Sequence, residues 1–368
     1  MSDPTQVCAA PPGRAGQSRT RAWLGVLAVA AVLAVLPFVL GLAGQGWVRI
    51  FNFALLYVML ALGLNIVVGF AGLLDLGYIA FYAVGAYAWA LLASPHFGLH
   101  LPFWAVLPVG VACACLFGVL LGAPTLKLRG DYLAIVTLGF GEIIRIFLNN
   151  LNAPVNITNG PQGINRIDPF RVADFTFSRA ETIFGMRVTG PEKYYYLLLL
   201  LTLLIVAVCV RLQDSRIGRA WEAIREDETA AKAMGINTRN VKLLAFAMGA
   251  SFGGVAGALF AAMQGFVSPE SFSLMESISV LCMVVLGGMG HIPGVILGAL
   301  LLAVLPEFLR AVVVPTQQML FGEVVLDPEG IRMLLFGLAM VLVMLFRPAG
   351  LWPSAVRKRE LARTGGGA

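Results

Sequence analysis

Residues 50–69 read IFNFALLYVMLALGLNIVVG, twenty residues without one charged side chain. An α-helix needs about 20 consecutive apolar residues to cross the roughly 30 Å hydrocarbon core of a bilayer. This stretch therefore predicts a membrane-spanning helix. Nine further apolar segments can be distinguished on either side of it. The ten segments lie near residues 23–43, 50–69, 73–93, 103–122, 131–148, 194–211, 241–263, 274–290, 293–311 and 331–346.

The composition of the whole chain agrees with a membrane location. Of its 368 residues, 59% are hydrophobic and 12% are charged, whereas soluble domains are about 45–50% apolar and about 25% charged. We therefore predict an all-α, polytopic helical membrane protein with about ten hydrophobic segments, of which eight to ten are true spans. The net charge of +6 does not indicate nucleic-acid binding, because the basic residues are scattered at the edges of apolar runs.

The positions of the basic residues predict the orientation. Lys and Arg are concentrated in cytoplasmic loops of membrane proteins. With the N-terminal tail in the cytoplasm, the loop with Lys127 and Arg129 and the charged stretch after residue 213 also fall inside. Both termini are then cytoplasmic. The expected parts are a disordered cytoplasmic N-terminal tail (1–22), a transmembrane domain (23–350) with an outer loop (149–193) and a cytoplasmic helix (214–240), and a cytoplasmic C-terminal tail (351–368).

Two of the segments end alike. Gly69-Phe70 and Gly265-Phe266 close the second and seventh segments, which run in opposite directions in this topology. Inverted repeats are common in transport proteins. The pattern indicates a possible inverted repeat.

Glycines and charges inside apolar segments are the candidates for a translocation path or gate. The stretch VGFAGLLDLGYIAFYAVGAY (68–87) places Asp75 among glycines that interrupt a helix, where it either caps the next helix or lines a path. Glu142 and Arg145 share a helix face and can pair. That pair is either structural or functional, since charges within spans often have a role. The candidates are Gly72, Asp75, Gly77 and Glu142.

Glycine also recurs at every fourth position in two predicted helices. Small residues allow helix backbones to approach closely in lipid. These glycines therefore predict tight helix packing, or seams along which helices slide. They are Gly249, Gly253 and Gly257 in one helix and Gly290, Gly294 and Gly298 in the other.

The sequence contains no recognisable set of catalytic or metal-binding residues typical of an enzyme. It contains no Gly-Lys dipeptide and hence no Walker A loop for ATP phosphates. Its three histidines and five cysteines have no metal-ligand spacing. We expect neither catalytic residues nor a metal or other cofactor.

One segment concentrates charge. Residues 218–236 read GRAWEAIREDETAAKAMGI, with seven charged side chains. At 3.6 residues per turn the remaining apolar residues form one stripe, so the pattern predicts a single amphipathic helix on the cytoplasmic side. Glu228 and Lys232 form an i,i+4 pair, and Gly235 stands at the expected C-cap. The stripe consists of Ile217, Trp221, Ile224, Ala231 and Met234. This helix either lies in solvent without a partner or is bound by a cytoplasmic motor protein that moves the membrane spans through it.

Several stretches together resemble a known family. The residues from Gly218 to Ala250 resemble the cytoplasmic segment of permease subunits of branched-chain amino acid ABC importers. The other matching stretches are GFAGLLDLGYIAFYAVGAYAWALL, PTLKLRGDYLAIVTLGFGEIIRIFLNN, TNGPQGI, QGFVSPESF, VVLGGMGHIPGVILGALLL and LFRPAGLWP. Importer permeases share an EAA-x-x-x-Gly pattern that docks on the ATPase. Ala230, Ala231 and Gly235 fit its spacing here, while the acid, Glu228, stands one position early.

The resemblance implies partners and roles. It implies a second related permease, two ABC ATPases, a periplasmic substrate-binding protein and a location in the bacterial inner membrane, where the loop 149–193 is periplasmic. The region TNGPQGI, with Asn159 and Gly160, would meet the binding protein or help gate a cavity. The residues expected to couple to the ATPases are Arg219, Glu222, Arg225, Glu228, Ala230, Ala231 and Gly235.

The cargo implied by the resemblance is leucine, isoleucine and valine. A related importer for urea, short amides or other amino acids is one alternative. An ATP-independent channel or secondary transporter, in which the charged helix is only regulatory, is the alternative from a different class.

Overall fold

The computed structural model describes residues 33–41, 44–125, 128, 130–152, 156–172, 175–178, 180–183 and 186–321, with positions 330, 334, 337, 338, 341, 345, 351 and 352. The chain divides into two units, Met1–Val48 and Arg49–Ala368. In the first unit, residues 33–41 are helical. The expected N-terminal tail (1–22), most of the segment 331–346 and residues 353–368 of the C-terminal tail lie outside the described residues.

From residue 45 onward the described chain is built almost entirely of helices, which confirms the all-α membrane fold. A π-helix, Asn65–Phe70, continues α1, and 3₁₀ turns cover Gly160–Gln162 and Pro269–Ser271. The α-helices are α1 (Gln45–Leu64), α2 (Ile79–Leu92), α3 (Phe103–Thr125), α4 (Asp131–Asn150), α5 (Gly190–Gln213), α6 (Arg216–Glu226), α7 (Glu228–Ala233), α8 (Thr238–Gln264), α9 (Leu274–Gly287) and α10 (Ile292–Phe321).

Six helices within the described residues are long and apolar enough to cross a membrane. Two shorter apolar helices, Ile79–Leu92 and Ile292–Phe308, accompany them. The predicted number of about ten spans is therefore not confirmed by this part of the chain. The third predicted segment, 73–93, is shorter as a helix than its apolar run, because residues 71–78 adopt an irregular backbone before α2 begins.

Helix α8 packs along α2 and α3 through backbone contacts. A Cβ atom at Gly257 would collide with the carbonyl oxygen of Tyr82, and one at Gly85 with that of Gly254. Such contacts require glycine, and close packing of this kind holds helices together in lipid. Along the same face of α8, Gly249 lies against Gly63 and Gly253 against Phe81.

The second predicted glycine series is not helical throughout. Gly290 lies in the turn between α9 and α10 with φ +81°, so the prediction that it belongs to a helix is wrong. This turn follows Gly288, whose φ of +112° ends α9. Gly294 and Gly298 do lie on α10, against Gly287 and Met283 of α9.

Short strands tie together the connections at one end of the helices. Ile164 and Asn165 (β1) pair antiparallel with Val267 and Phe266 (β6). The backbone N–H of Asp168 also donates to the carbonyl oxygen of Ala93 at 2.7 Å. The connections after α2, α4 and α8 therefore meet at this end. Two further strand pairs are β2 (Arg171–Val172) with β3 (Phe175–Thr176), and β4 (Glu181–Ile183) with β5 (Met186–Val188).

The connections after α1, α5 and α9 meet at the other end. Trp221 of α6 donates to the carbonyl oxygen of Val241 at the start of α8 (2.7 Å), and its ring stacks on Phe70. In the turn between α9 and α10, the backbone N–H of Gly290 donates to the side-chain oxygen of Asn65 at 2.8 Å. Successive helices in this region thus alternate in direction, as a polytopic membrane protein requires.

Candidate functional site

The charged segment forms two helices, so the prediction of one helix over 214–240 is wrong. Ser215 caps α6 by accepting from the backbone N–H groups of Ile217 and Gly218, both at 3.2 Å. Helix α6 ends at Glu226, and Asp227 adopts an extended conformation with φ −153°. Its carboxylate accepts from Thr229 N–H at 2.7 Å and Ala230 N–H at 3.1 Å. Aspartate favours such capping over a helix interior, and this explains the break.

One side of the two helices is buried. Trp221 is fully buried, and Ile224 and Ala231 are almost so. The expected stripe does not extend to Met234, whose side chain is 83% exposed. The break at Asp227 and the chain reversal at Gly235 (φ +84°) point this residue away from the protein.

The other side is exposed and mixes charged with apolar groups. We call it the exposed face, and it comprises Arg219, Glu222, Ala230, Met234 and Gly235. Four of these residues were expected to couple to the ATPases, whereas Met234 was expected in the buried stripe. The other three expected coupling residues, Arg225, Glu228 and Ala231, are half-buried or buried.

Glu228 joins α7 to the start of α8. Its carboxylate accepts from Lys242 Nζ at 2.7 Å and pairs with Lys232 Nζ at 3.0 Å, which confirms the predicted i,i+4 pair. Partial burial would raise the pKa of this carboxyl, but the two ammonium groups outweigh it and lower the pKa to about 2. The acid that stands one position early in the EAA-like pattern therefore holds the two helices together.

Helix α6 contacts the end of the span Gln45–Phe70 through two side chains. The rings of Trp221 and Phe70 are nearly parallel, at 11°, with centroids 6.5 Å apart. Arg225 donates from Nη1 to the carbonyl oxygen of Gly69 at 2.5 Å. A cleft of about 210 Å³ opens beside Arg225 and is lined also by Gly72, Leu73 and Leu133.

The irregular segment 71–78 is held by three helices. Asp75 is fully buried, and its Oδ1 accepts from the N–H of Gly77 at 2.9 Å, not from the first turn of α2. The backbone N–H of Leu76 donates to the hydroxyl oxygen of Thr137 on α4 at 3.0 Å. Its carbonyl oxygen accepts from the hydroxyl of Ser277 on α9 at 2.6 Å. A Cβ at Gly77 would collide with the carbonyl oxygen of Thr137. Gly72, with φ +69°, lies beside Arg225.

The remaining candidates lie along α4 and at the opposite end. Glu142 pairs with Arg145 at 3.0 Å, as predicted, and Arg145 also lies 3.6 Å from Glu270. Asn159 has a left-handed conformation, and its Nδ2 donates to the carbonyl oxygen of Gly163 at 2.9 Å. Gly160 is buried against the end of α4. Glu142 and these two residues therefore lie apart from the charged segment.

Three residues that make the contacts described above were not predicted from the sequence as site residues: Asn65, Phe70 and Lys242. The sequence offered one weak signal for Asn65, because it and Asn52 are the two amides within the otherwise apolar run 50–69. Among the described residues, no group of three or more His, Cys, Asp or Glu side chains could hold a metal ion.

The comparisons with known proteins decide the family. The profile of a family described as "Branched-chain amino acid transport system / permease component" matches residues 46–344. The chain belongs to this permease family. The match takes in every helix from the span Gln45–Phe70 to α10.

Individual permeases of this family are similar over most of the chain. The high-affinity branched-chain amino acid transport system permease protein LivM of Escherichia coli K12 is 45% identical over 335 residues, which cover 88% of this chain and 73% of that protein. A probable LivM of Methanocaldococcus jannaschii is 26% identical, covering 81% and 90%. The LivH permease of Escherichia coli K12 is 25% identical, covering 67% and 80%. No solved structure matches the chain.

Proposed function

We propose that this multi-pass membrane protein is a permease subunit of an ATP-driven importer for leucine, isoleucine and valine. The permease family and its branched-chain amino acid relatives support the cargo. They do not favour the urea or amide importer. In this proposal ATP hydrolysis comes from partner subunits, which agrees with a sequence that contains no Walker A loop.

The coupling proposal rests on the fact that α6 and α7 have one buried side and one exposed side. One side is anchored on the membrane helices through Trp221, Ile224 and Ala231. The exposed face carries Arg219, Glu222 and the almost fully exposed Met234. Met and Arg are enriched in protein contacts, and Met234 and Arg219 both lie on this face. We therefore assign the ATPases to the exposed face in this proposal.

The remaining partners follow from the two ends of the helices. The end with α6 and α7 is cytoplasmic in this proposal, and residues 156–172 are then on the periplasmic side. Cytoplasmic termini are also part of the proposal, and they rest on the spans that the sequence predicts near residues 23–43 and 331–346. A substrate-binding protein would dock near Asn159 and Gly160. A second permease completes the path, since the family contains both LivM-type and LivH-type proteins. Gly72, Asp75, Gly77 and Glu142 remain candidates for the path or its gate.

The test is uptake of labelled leucine into proteoliposomes that contain this chain with its cognate permease, ATPases and binding protein. We expect uptake only with ATP on the ATPase side, and competition by unlabelled isoleucine and valine but not by urea. Urea transport without leucine transport would refute the cargo. Leucine uptake by this chain alone, without ATP, would refute the importer and favour a channel or secondary transporter.

A further inference from the structure

The carbonyl oxygen of Gly69 is bound by a charged side chain from α6. It lies at the end of the π-helix and receives a hydrogen bond from Arg225 Nη1. Carbonyl groups in the last turn of a helix lack backbone partners within that helix. A cation at this position also interacts favourably with the helix dipole. Arg225 thus closes the end of the span Gln45–Phe70.

Asn65 makes a second connection from the same π-helix. Its side chain is almost completely buried, and Oδ1 accepts from the backbone N–H of Gly290 at 2.8 Å. A Cβ at Gly290 would lie 3.2 Å both from Arg225 Nη1 and from the carbonyl oxygen of Gly69. Helix α6, the π-helix and the turn between α9 and α10 therefore meet at one point.

The π-helix is suited to rearrangement. Such helices are rare and are frequently found at functional sites. The Nδ2 group of Asn65 is buried and has no hydrogen-bond partner in the described structure. An unsatisfied buried donor is costly, so an arrangement that gives this group a partner would recover part of that cost. The exposed Gly72, with φ +69°, lies two residues beyond the π-helix, and its lack of a side chain leaves room for Arg225.

We propose that Arg225 and Asn65 form a latch that transmits movement of α6 and α7 to the span Gln45–Phe70 and to the turn between α9 and α10. This inference rests on the proposed function, because the ATPases supply the movement. Displacement of α6 pulls the Gly69 carbonyl through Arg225. Asn65 carries that displacement to Gly290 and hence to the start of α10. Both are positioning residues and contact neither cargo nor ATP.

The experiment measures leucine uptake and ATP hydrolysis in the same reconstituted proteoliposomes. Arg225→Met is expected to retain ATPase co-purification and hydrolysis, while leucine transported per ATP falls roughly tenfold, within the range of allosteric couplings. Arg225→Lys, which keeps a cationic donor, restores part of this ratio and shows that the site folds. Arg219→Met is the control on the exposed face. It lowers ATPase association and hydrolysis together and leaves leucine per ATP unchanged.

A double variant tests whether the two bonds act through one element. Asn65→Ala is expected to uncouple as Arg225→Met does, and their combination to be no worse than the more severe single variant, because residues in one network are not additive. An unchanged leucine-to-ATP ratio in Arg225→Met would overturn the latch. Loss of ATPase co-purification in that variant would also overturn it and make Arg225 a docking residue. Failure of the wild-type complex to import leucine would instead overturn the proposed function.

Discussion

Replacing Trp221 by alanine tests how firmly α6 is anchored on the membrane helices. The indole is fully buried, stacks on Phe70 and donates to the carbonyl oxygen of Val241 at 2.7 Å. Alanine removes the ring, leaves a cavity and deprives the Val241 carbonyl of its side-chain donor. The loss falls on the contact between α6 and the membrane helices, and not on the exposed face.

The expected cost is about 3–5 kcal/mol, as for other truncations of a buried tryptophan. Phenylalanine keeps most of the ring and loses mainly the hydrogen bond, which contributes about 0.5–1.5 kcal/mol. Hydrogen exchange measured by mass spectrometry on peptides from α6 and α7 gives the local effect. In Trp221→Ala, exchange of these peptides is expected to accelerate roughly 100-fold or more, because each 1.4 kcal/mol is a factor of ten. Trp221→Phe should accelerate it by about tenfold or less.

Peptides from the middle of α8 serve as the internal reference, since that helix is anchored independently on α2 and α3. Their exchange should change little in either variant. Equal protection of α6 in the wild type and in Trp221→Ala would refute the anchoring. So would an acceleration of the same size in α6 and α8, which indicates loss of the whole fold.

Three further predictions concern the exposed face, a salt bridge and a glycine contact. Met234→Ala should change thermal stability by less than about 0.5 kcal/mol yet weaken ATPase co-purification, and full co-purification would argue against the exposed face. Glu228→Gln should lower the melting temperature at neutral pH. The pKa of Glu228 is lowered from 4.5 to about 2. The difference in melting temperature between the wild type and Glu228→Gln is therefore expected in full above pH 4.5 and should vanish as the pH falls towards 2. A difference that stays constant with pH would contradict the salt bridge. Gly77→Ala should destabilise the protein by about 1–3 kcal/mol through overpacking. The control Gly139→Ala should not, because no neighbouring atom lies within 4 Å of a Cβ at that position. Equal melting temperatures of the two variants would exclude the Gly77 contact.

The apolar segments could be predicted from the sequence because each depends on local composition. Uncharged runs such as residues 50–69 have few alternatives to a membrane helix. The Glu142–Arg145 and Glu228–Lys232 pairs were predictable for the same reason, since spacing on a helix determines them. All of these features depend on residues that are close in the chain.

The break at Asp227 was not predicted, because the apolar stripe continues across it when 3.6 residues per turn are assumed. A carboxylate that caps the following turn outweighs that periodicity. Asp227 therefore ends one helix and begins the next, and Met234 is carried to the exposed side. Gly290 lies in a turn for another reason, since Gly288 and Gly290 both have positive φ values, which glycine adopts readily and which lie outside the helical range.

The contacts of Asn65 and Arg225 were beyond prediction from the sequence for a different reason. Arg225 binds a carbonyl 156 residues away and Asn65 an N–H group 225 residues away. Neither partner is a side chain, so no complementary residue type in the sequence indicates the pairing. Such contacts become visible only once the helices are placed.

Docking of the ATPases on the exposed face can be tested directly by cysteine cross-linking between α6–α7 and the ATPases in the assembled complex. Single cysteines would replace Glu222, Ala230 and Met234 on the exposed face, with Leu200 on the exposed side of α5 as the control position. We expect the three exposed-face cysteines to cross-link to an ATPase and the control cysteine not to. An assembled, leucine-transporting complex without cross-links from any of the three positions would contradict this docking.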